Sequence, residues 1–231
     1  MLSVVIPAYN EGARLPATLD AVLAYLRRRG EPFEVIVSDD GSTDATAERV
    51  RERMGGAPEL RLVSRRPNRG KGSAVRAGLL EARGDCWLFA DADLATPIEE
   101  VEKLQAALDA GADLVLGSRA MPDSVLPVPH GPLRRALGRC FNLAVRFSLG
   151  IPYRDTQCGF KLMRAGALRD VVERVQTEHF GFDFELVYRA VRRGLRVAEV
   201  GIVWRDQAGS KVRVWRDGWV MLASLRKIRR R

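Results

Sequence analysis

Two aspartates, Asp91 and Asp93, lie two residues apart directly after the apolar segment 86–90. This segment predicts a buried β-strand, so both carboxylates extend from the end of a strand. Carboxylate oxygens at that spacing can bind one hard cation, and Mg²⁺ or Mn²⁺ completes its shell with water and substrate phosphates. A pair of aspartates that only shapes a turn is the alternative interpretation. The position at a strand end favours the metal site.

A second acidic pair, Asp39 and Asp40, follows the apolar segment 33–37 in the same way. A carboxylate at this place can accept a hydrogen bond from a ribose hydroxyl or a base N–H. A turn followed by a helix cap at Ser42 or Thr43 is the other interpretation. We expect both to hold, for different residues of the loop.

A glycine-rich segment, 68–77, opens a predicted helix whose free N–H groups could attract phosphate. It matches neither the dinucleotide-binding fingerprint, because Val75 replaces the third glycine, nor a Walker A loop, because no Gly-Lys-Ser/Thr occurs. Arg69 and Lys71 therefore either face a diphosphate or are solvated cations at the start of a helix.

Short apolar runs alternate with amphipathic stretches in the first half of the chain. The predicted strands are 2–6, 33–37, 60–63, 86–90 and 114–116, and the predicted helices are 15–26, 43–54, 71–83 and one opened by a capping box at Thr96, Pro97 and Glu99. This alternation predicts an α/β fold with a mostly parallel central sheet flanked by helices. Ligands of such sheets bind at the carboxyl ends of the strands, where both acidic pairs lie.

The second half is less regular. It has a proline-rich loop at 121–132, predicted helices at 133–149, 183–193 and 212–231, and a strand at 196–204. No linker separates two units, and we expect one domain over residues 1–231.

Four motifs at the predicted strand ends together resemble the family 2 glycosyltransferases of GT-A fold: Pro7-Ala8-Tyr9-Asn10-Glu11, Asp39-Asp40-Gly41-Ser42, Asp91-Ala92-Asp93 and Gly117-Ser118-Arg119. The later runs 154–162, 182–186 and 209–211 narrow the resemblance to dolichyl-phosphate glucosyltransferases, with dolichyl-phosphate mannose synthases as nearest relatives. The resemblance covers residues 2 to about 219. It implies a nucleotide-sugar-binding half at 1–118 and an acceptor-binding, membrane-facing half at 119–231.

The resemblance implies inverting transfer of glucose from UDP-glucose to a polyprenyl phosphate of the dolichyl type. The resemblance implies that Pro7, Tyr9, Glu11 and Asp40 bind uridine, that Asp91 and Asp93 hold Mg²⁺ or Mn²⁺ with the diphosphate, and that Arg119 meets a phosphate. Asp39, from the second acidic pair, and Lys71, from the glycine-rich segment, complete the predicted donor-binding set. Two features depart from the relatives. Eukaryotic members usually carry an N-terminal membrane helix, which we do not find in this sequence, and Ala95 stands where the mannose synthases often have a polar metal ligand.

A phosphate acceptor is already dianionic near neutral pH and needs no general base. The site must instead hold two anions together, which suits arginine and lysine. Arg119, Arg134 and Lys211 are the candidates, and Arg134 could equally be a surface residue.

Asp183 lies where other family 2 enzymes carry a carboxylate base, but a helix cap is an equally good interpretation. We predict a positioning role for it beside the catalytic set Asp91, Asp93 and Arg119. His130 and His179 have no partner in the sequence pattern that suggests catalysis.

The helix predicted at 212–231 carries Trp215, Trp219, Leu225 and Ile228 on an apolar face, and five cations lie among the last six residues. This pattern predicts an interfacial helix on an anionic membrane, with docking on the protein core as the alternative. No apolar run reaches the length of a membrane span and no signal peptide is evident. We therefore expect a cytoplasmic protein that binds peripherally to the cytoplasmic face of the membrane.

Composition leaves two other functions open. The 38 lysines and arginines against 29 acidic residues give a net charge of +9 and indicate an anionic partner. A nucleic-acid binder is a distant alternative, because aromatic residues are only 7% and no nucleic-acid-binding motif occurs. A family 2 enzyme with another donor, such as GDP-mannose, or with a soluble sugar acceptor is the nearer one. Three unpatterned cysteines fit a reducing cytosol.

Overall fold

The computed structural model describes residues 1–127 and 132–205, together with residues 225, 226, 228 and 229. For residues 132–137, 139 and 140 it describes the backbone alone. The elements in chain order are β1 (Leu2–Ala8), α1 (Leu15–Arg29), β2 (Phe33–Asp39), α2 (Thr46–Met54), β3 (Leu60–Ser64), α3 (Lys71–Leu80), β4 (Cys86–Ala90), a 3₁₀ turn (Ile98–Glu100), α4 (Val101–Asp109), β5 (Leu114–Ser118), α5 (Pro132–Leu149), β6 (Phe160–Arg164), α6 (Ala165–Arg174), α7 (Phe182–Arg192) and β7 (Val197–Gly201).

The strands form one seven-stranded sheet in the order β3-β2-β1-β4-β6-β5-β7. Strand β6 runs antiparallel to both of its neighbours, β4 and β5, and every other adjacent pair is parallel. The predicted α/β fold with a mostly parallel sheet is confirmed. Because β6 is reversed, it begins at the edge where β4 and β5 end, with Phe160 opposite Ala90. The segment before β6 therefore reaches the same edge as the ends of the parallel strands.

Both faces of the sheet are covered by helices. Alternate residues of β1 point to opposite faces, so Val4 and Ile6 join one hydrophobic cluster and Val5 joins the other. The first cluster contains the apolar faces of α1 and α4. The second contains those of α3, α6 and α7 and the end of α5. Burial on both faces explains why the strands are continuous apolar runs instead of alternating ones.

Two predicted helix starts are wrong. Helix α2 begins at Thr46, with Ala45 as its N-cap residue. The Asp44 carboxylate accepts the N–H of Thr46 at 3.0 Å, whereas the Ser42 hydroxyl accepts the N–H of Asn10 at 2.9 Å. Ser42 is therefore used to tie the β1 and β2 loops together and does not cap the helix.

The capping box predicted at Thr96, Pro97 and Glu99 is the second wrong start. Pro97 has an extended backbone and is the N-cap residue of a 3₁₀ turn, with no side-chain cap hydrogen bond. The α-helix proper starts later, at Val101. Burial of Ile98 in the first hydrophobic cluster draws this turn towards the core.

In the second half, helix 133–149 is confirmed, and Pro132 stands at its first position, as is common for proline. Strand β6 and helix α6 were not predicted. The run Phe160-Lys161-Leu162-Met163-Arg164 has neither alternation nor a continuous apolar pattern, because a buried lysine interrupts it. The strand predicted at 196–204 is shorter, since β7 ends at Gly201 and Val203 makes only an isolated bridge to Val125.

Within the described parts of the chain, no helix is long and apolar enough to cross a membrane. Leu225 and Ile228 are buried in the second hydrophobic cluster, while Arg226 and Arg229 are exposed. The prediction that an apolar face including Leu225 and Ile228 contacts a membrane is therefore wrong for these two residues. Trp215 and Trp219 lie outside the described residues.

Candidate active site

The candidate site lies at the carboxyl edge of the sheet, where loops from several strands meet. Strands β1, β2 and β4 are parallel and in register, so their ends bring Tyr9, Asp40 and Asp91 to one edge. Strand β5 runs in the same direction, being antiparallel to β6, and delivers Arg119. Convergence of these loops follows from the parallel topology. The predicted donor and metal motifs are thus brought to one edge.

Asp91 pairs with a lysine from the glycine-rich segment. The Nζ atom of Lys71, the first residue of α3, lies 2.8 Å from Oδ1 of Asp91 and 5.1 Å from the centre of the Phe89 ring. Burial lowers the pKa of Lys71, but the carboxylates of Asp91 and Asp183 outweigh burial and hold the pKa above its usual value. Lys71 therefore stays charged, and in this structure it neutralises Asp91.

Asp91 also rests directly on Gly159. The backbone N–H of Asp91 donates to the Gly159 carbonyl at 3.0 Å. A Cβ atom at position 159 would overlap the carboxylate of Asp91, so a larger residue there would displace that carboxylate. The unpredicted strand β6 thus supplies the surface that orients Asp91.

Asp93 lies beside Asp91 in a strained turn. Its Oδ1 accepts the N–H of Ala95 at 3.1 Å, and its Oδ2 lies 4.0 Å from Nη1 of Arg14. Burial and then the neighbouring charge of Asp91 raise the pKa of Asp93. Leu94, between Asp93 and Ala95, has φ 45°, a left-handed conformation that a bulky residue adopts at a cost. Two crowded carboxylates and a strained backbone are features of functional sites.

The two carboxylates fit a divalent metal that also binds phosphate. No group of three or more His, Cys, Asp or Glu side chains in the described part of the chain could hold a metal ion alone. Mg²⁺ and related cations often bind one or two carboxylates and take their other ligands from water and substrate phosphates. Asp91 and Asp93 match that donor set, and Ala95 adds no side-chain ligand. Asp93 would benefit most from a cation, because burial and Asp91 disfavour its charge.

The donor-side loop holds the glycine-rich segment in place. Asp40 is buried, and its carboxylate accepts the N–H groups of Arg69 at 3.0 Å and Gly70 at 2.6 Å. Burial raises the pKa of Asp40. Asp39 accepts the N–H of Ser42 at 3.0 Å. Both predicted donor-binding aspartates thus stand at the site and shape its loops.

The remaining predicted donor residues differ in exposure. Tyr9 is 40% exposed at the rim of the site, whereas Pro7 is buried within β1. The Glu11 carboxylate pairs with Arg14, with Oε1 2.8 Å from Nη2. Because Arg14 also lies near Asp93, it connects the β1 loop to the predicted metal site.

Arg119 is held rigidly by an aspartate that the sequence analysis did not single out. Its Nε and Nη2 atoms donate to the two carboxylate oxygens of Asp155 at 2.7 and 2.9 Å, and its guanidinium lies 5.6 Å from the Trp204 ring centre. Burial raises the pKa of Asp155, but Arg119 outweighs burial and leaves that pKa below its usual value. Glu199 on β7 accepts the N–H groups of Arg154 and Asp155 at 2.9 and 2.7 Å. Arg119 is thus fixed in one orientation beside the site.

Asp183 is not a helix cap. The N-cap residue of α7 is Gly181, and the Asp183 carboxylate pairs with Nζ of Lys161. Lys161 is fully buried on β6. The signal that could have revealed Lys161 is a lysine within an otherwise apolar strand, since a lysine is almost never fully buried without a partner.

Of the predicted acceptor-phosphate residues, the structure places only Arg119. Lys211 lies outside the described residues, and of Arg134 only the backbone is described. His130, for which no catalytic role is predicted, also lies outside the described residues. The ring of His179 packs against Gly70, the N-cap residue of α3.

Comparison with known proteins agrees with this geometry. The family described as Glycosyl transferase family 2 matches residues 3–172. A dolichyl-phosphate beta-glucosyltransferase of Drosophila melanogaster is 40% identical over 224 residues, covering 91% of this chain and 69% of that protein. The protein of the same name in Saccharomyces cerevisiae is 36% identical over 247 residues, covering 99% of this chain and 74% of the yeast protein.

A solved structure shares the fold. Glucosyl-3-phosphoglycerate synthase from Mycobacterium tuberculosis, crystallised with Mn²⁺, UDP and glucosyl-3-phosphoglycerate, superimposes with a TM-score of 0.72 at 25% identity, covering 99% of this chain and 78% of that one. The predicted GT-A fold is confirmed. The fold, the converging loops and the family match identify this chain as a member of glycosyl transferase family 2.

Proposed function

We propose that this glycosyltransferase moves glucose from UDP-glucose to a polyprenyl phosphate of the dolichyl type, with inversion at the anomeric carbon. One observation carries the proposal: the rigid Arg119–Asp155 pair stands at the same sheet edge as Asp91 and Asp93. Asp91, Gly159 and Trp204 line a small crevice, and the guanidinium of Arg119 lies 5.6 Å from the centre of the Trp204 ring. A site with two places for anions suits transfer from a diphosphate to a phosphate. The names of the Drosophila and yeast relatives support glucose and dolichyl phosphate.

The chemistry required is modest. Glycosyl transfer passes through an oxocarbenium-like state, and negative charge grows on the leaving diphosphate. A divalent metal held by Asp91 and Asp93 would neutralise that charge. Lys71, paired with Asp91, adds a second cation on the same side. A phosphate acceptor needs no base, which agrees with the Asp183 carboxylate being paired with Nζ of Lys161.

Arg119 suits the acceptor phosphate. A guanidinium stays charged at every relevant pH and presents several N–H donors in a fixed plane. The bidentate contact to Asp155 fixes that plane before substrate arrives, so little side-chain entropy is lost on binding. The metal requirement and UDP as the nucleotide are supported by the Mn²⁺ and UDP bound in the mycobacterial synthase.

We also propose that the protein is cytoplasmic and binds peripherally to the cytoplasmic face of the membrane. Phe147 near the end of α5 is 83% exposed, and it lines a cavity of about 550 Å³ together with Tyr188, Arg192 and Arg229. An exposed aromatic side chain beside arginines is suited to an anionic membrane interface. The free thiols of Cys86 and Cys158 fit a reducing compartment.

A second candidate acceptor is a small phosphorylated molecule, because the mycobacterial neighbour glucosylates 3-phosphoglycerate according to its name. The test is a panel of radiolabelled UDP-glucose and GDP-mannose against short prenyl phosphates, free prenols, 3-phosphoglycerate and soluble sugars. We expect label transfer from UDP-glucose to prenyl phosphates. Transfer from GDP-mannose would assign a mannose synthase, and transfer only to 3-phosphoglycerate or sugars would overturn the lipid acceptor.

A further inference from the structure

Lys161 is the one fully buried lysine among the side chains that the structure describes. It sits on β6, opposite Phe89 of β4 and Leu116 of β5. Its Nζ atom pairs with the carboxylate of Asp183, donates to the Cys158 carbonyl at 2.5 Å and lies 5.6 Å from the Phe89 ring centre. Phe89 thus has Lys71 and Lys161 near its ring, and the charge of Asp183 acts on Lys71 as well.

The segment that Lys161 holds, 155–159, touches both functional clusters. At one end Asp155 binds Arg119 in a bidentate contact. At the other end Gly159 supports Asp91 through its carbonyl and its bare Cα. Cys158, whose carbonyl accepts from Lys161, lies next to Gly159 in the sequence. A shift of this short segment would therefore move Asp91 and Arg119 relative to each other.

We propose that Lys161 is a positioning residue for glycosyl transfer: together with Asp183 it clamps segment 155–159 and so sets the spacing between Asp91 and Arg119. The inference rests on the proposed function and adds a residue to its site. Lys161 touches no substrate in this account. It acts through Gly159 on the donor side and through Asp155 on the acceptor side.

Stability alone is a poor explanation for this buried pair. Taking an ammonium and a carboxylate out of water is costly, and well-packed apolar residues of similar volume often give a protein that is at least as stable. The pair contacts a backbone carbonyl one residue from the support of Asp91, which is where a fixed geometry matters for transfer. Misplacement of a reacting group by about 1 Å can cost a hundredfold in rate.

The test compares kinetics with stability in three variants. Lys161→Met removes the charge and leaves Asp183 unpaired, so both the melting temperature and kcat should fall. Lys161→Met/Asp183→Leu removes both charges, which should restore the melting temperature. We expect kcat to remain about a hundredfold below that of the native enzyme in both variants, with each KM changed less than about threefold. A loss in kcat with nearly unchanged KM separates misalignment from lost substrate binding.

Arg61→Met is the matched control. It breaks the pair of Arg61 with the buried carboxylate of Glu34, 2.7 Å apart, near the opposite edge of the sheet, and should lower the melting temperature without changing kcat. Recovery of kcat together with stability in the double variant would overturn the inference, as would native kcat in Lys161→Met. If Lys161→Met does not fold, the double variant alone decides. If the native enzyme transfers no glucose from UDP-glucose, the proposed function fails, and kcat of these variants is measured with the donor and acceptor that the panel identifies.

Discussion

Asp91 illustrates how the site is organised at the scale of single residues. Its carboxylate is paired with Lys71, its N–H is bonded to the Gly159 carbonyl, and Asp93 lies two residues away. Each contact comes from a different part of the chain. Asp91 is therefore oriented before any ligand binds, which lowers the cost of ordering it during the reaction.

The first prediction concerns the metal. Asp93→Ala should abolish transfer while the protein stays folded, and EDTA should do the same to the native enzyme. Loss of one preorganised charge contact costs about 3 kcal/mol, or a few hundredfold in rate, and loss of a metal costs more. Rate assays measure the loss of transfer, and circular dichroism checks that the variant stays folded. The control is Asp85→Ala. The Asp85 side chain is 88% exposed and lies just before β4, at the end of that strand opposite to Asp91 and Asp93. Full activity of Asp93→Ala in EDTA would refute the metal requirement.

The second prediction concerns Gly159. An added methyl group would overlap the carboxylate of Asp91, so Gly159→Ala should displace it and weaken Mn²⁺-dependent binding of UDP. Misalignment should also lower kcat about a hundredfold. Calorimetry with UDP at increasing Mn²⁺ concentration measures the affinity for UDP. Gly166→Ala, where an added Cβ meets open space, is the control and should behave like the native protein. Equal UDP affinity in Gly159→Ala would show that Asp91 does not need this support.

At the scale of elements, strand β6 makes the site complete. It enters the sheet between β4 and β5 and brings the segment 155–159 against loops from the first half of the chain. The strand ends that carry Asp40, Asp91 and Arg119 could be predicted, because loops after parallel strands converge at one edge.

The partners of those residues could not be predicted. Pairing of Lys71 with Asp91 and of Asp155 with Arg119 depends on which strands are neighbours, and hydrophobic periodicity does not report strand order. Strand β6 itself escaped prediction because Lys161 interrupts its apolar run. The buried faces of Leu225 and Ile228 were misassigned to a membrane because an apolar helical stripe looks the same whether protein or lipid covers it.

The third prediction concerns α5 and the exposed cations near the C terminus. Phe147→Ser should weaken binding to anionic vesicles at every salt concentration, because apolar contact is not screened. Replacing exposed Arg226 and Arg229 by serine should remove only a salt-sensitive part of binding, since each cation contributes about 1 kcal/mol near such a surface. Cosedimentation at low and high salt is the measurement. Met54→Ser should leave binding unchanged, because Met54 is an exposed residue of α2, which packs on the other face of the sheet from α5. Native protein that stays in the supernatant at low salt would contradict the membrane proposal.

At the scale of the whole molecule, the chain carries a net charge of +9 although its candidate site contains many carboxylates. Arg14, Lys71, Arg119 and Lys161 each lie within reach of one of these carboxylates. These four cations offset part of the negative charge that the carboxylates place at the site. In the proposed function, these cations would reduce the repulsion between the carboxylates and the incoming diphosphate and phosphate.

Inverting transfer of glucose to a phosphate can be read from the chemical structure of the product. The reaction contains purified enzyme, Mn²⁺, UDP-glucose and a short prenyl phosphate. It should yield a prenyl-phosphate glucose whose ¹H and ³¹P NMR spectra show a β-anomer with C1 bonded to a phosphate oxygen. UDP-glucose is an α-glycoside, so a β-linked product requires inversion. An α-linked product, or glucose attached to a hydroxyl and not to the phosphate, would rule out inverting transfer to the phosphate.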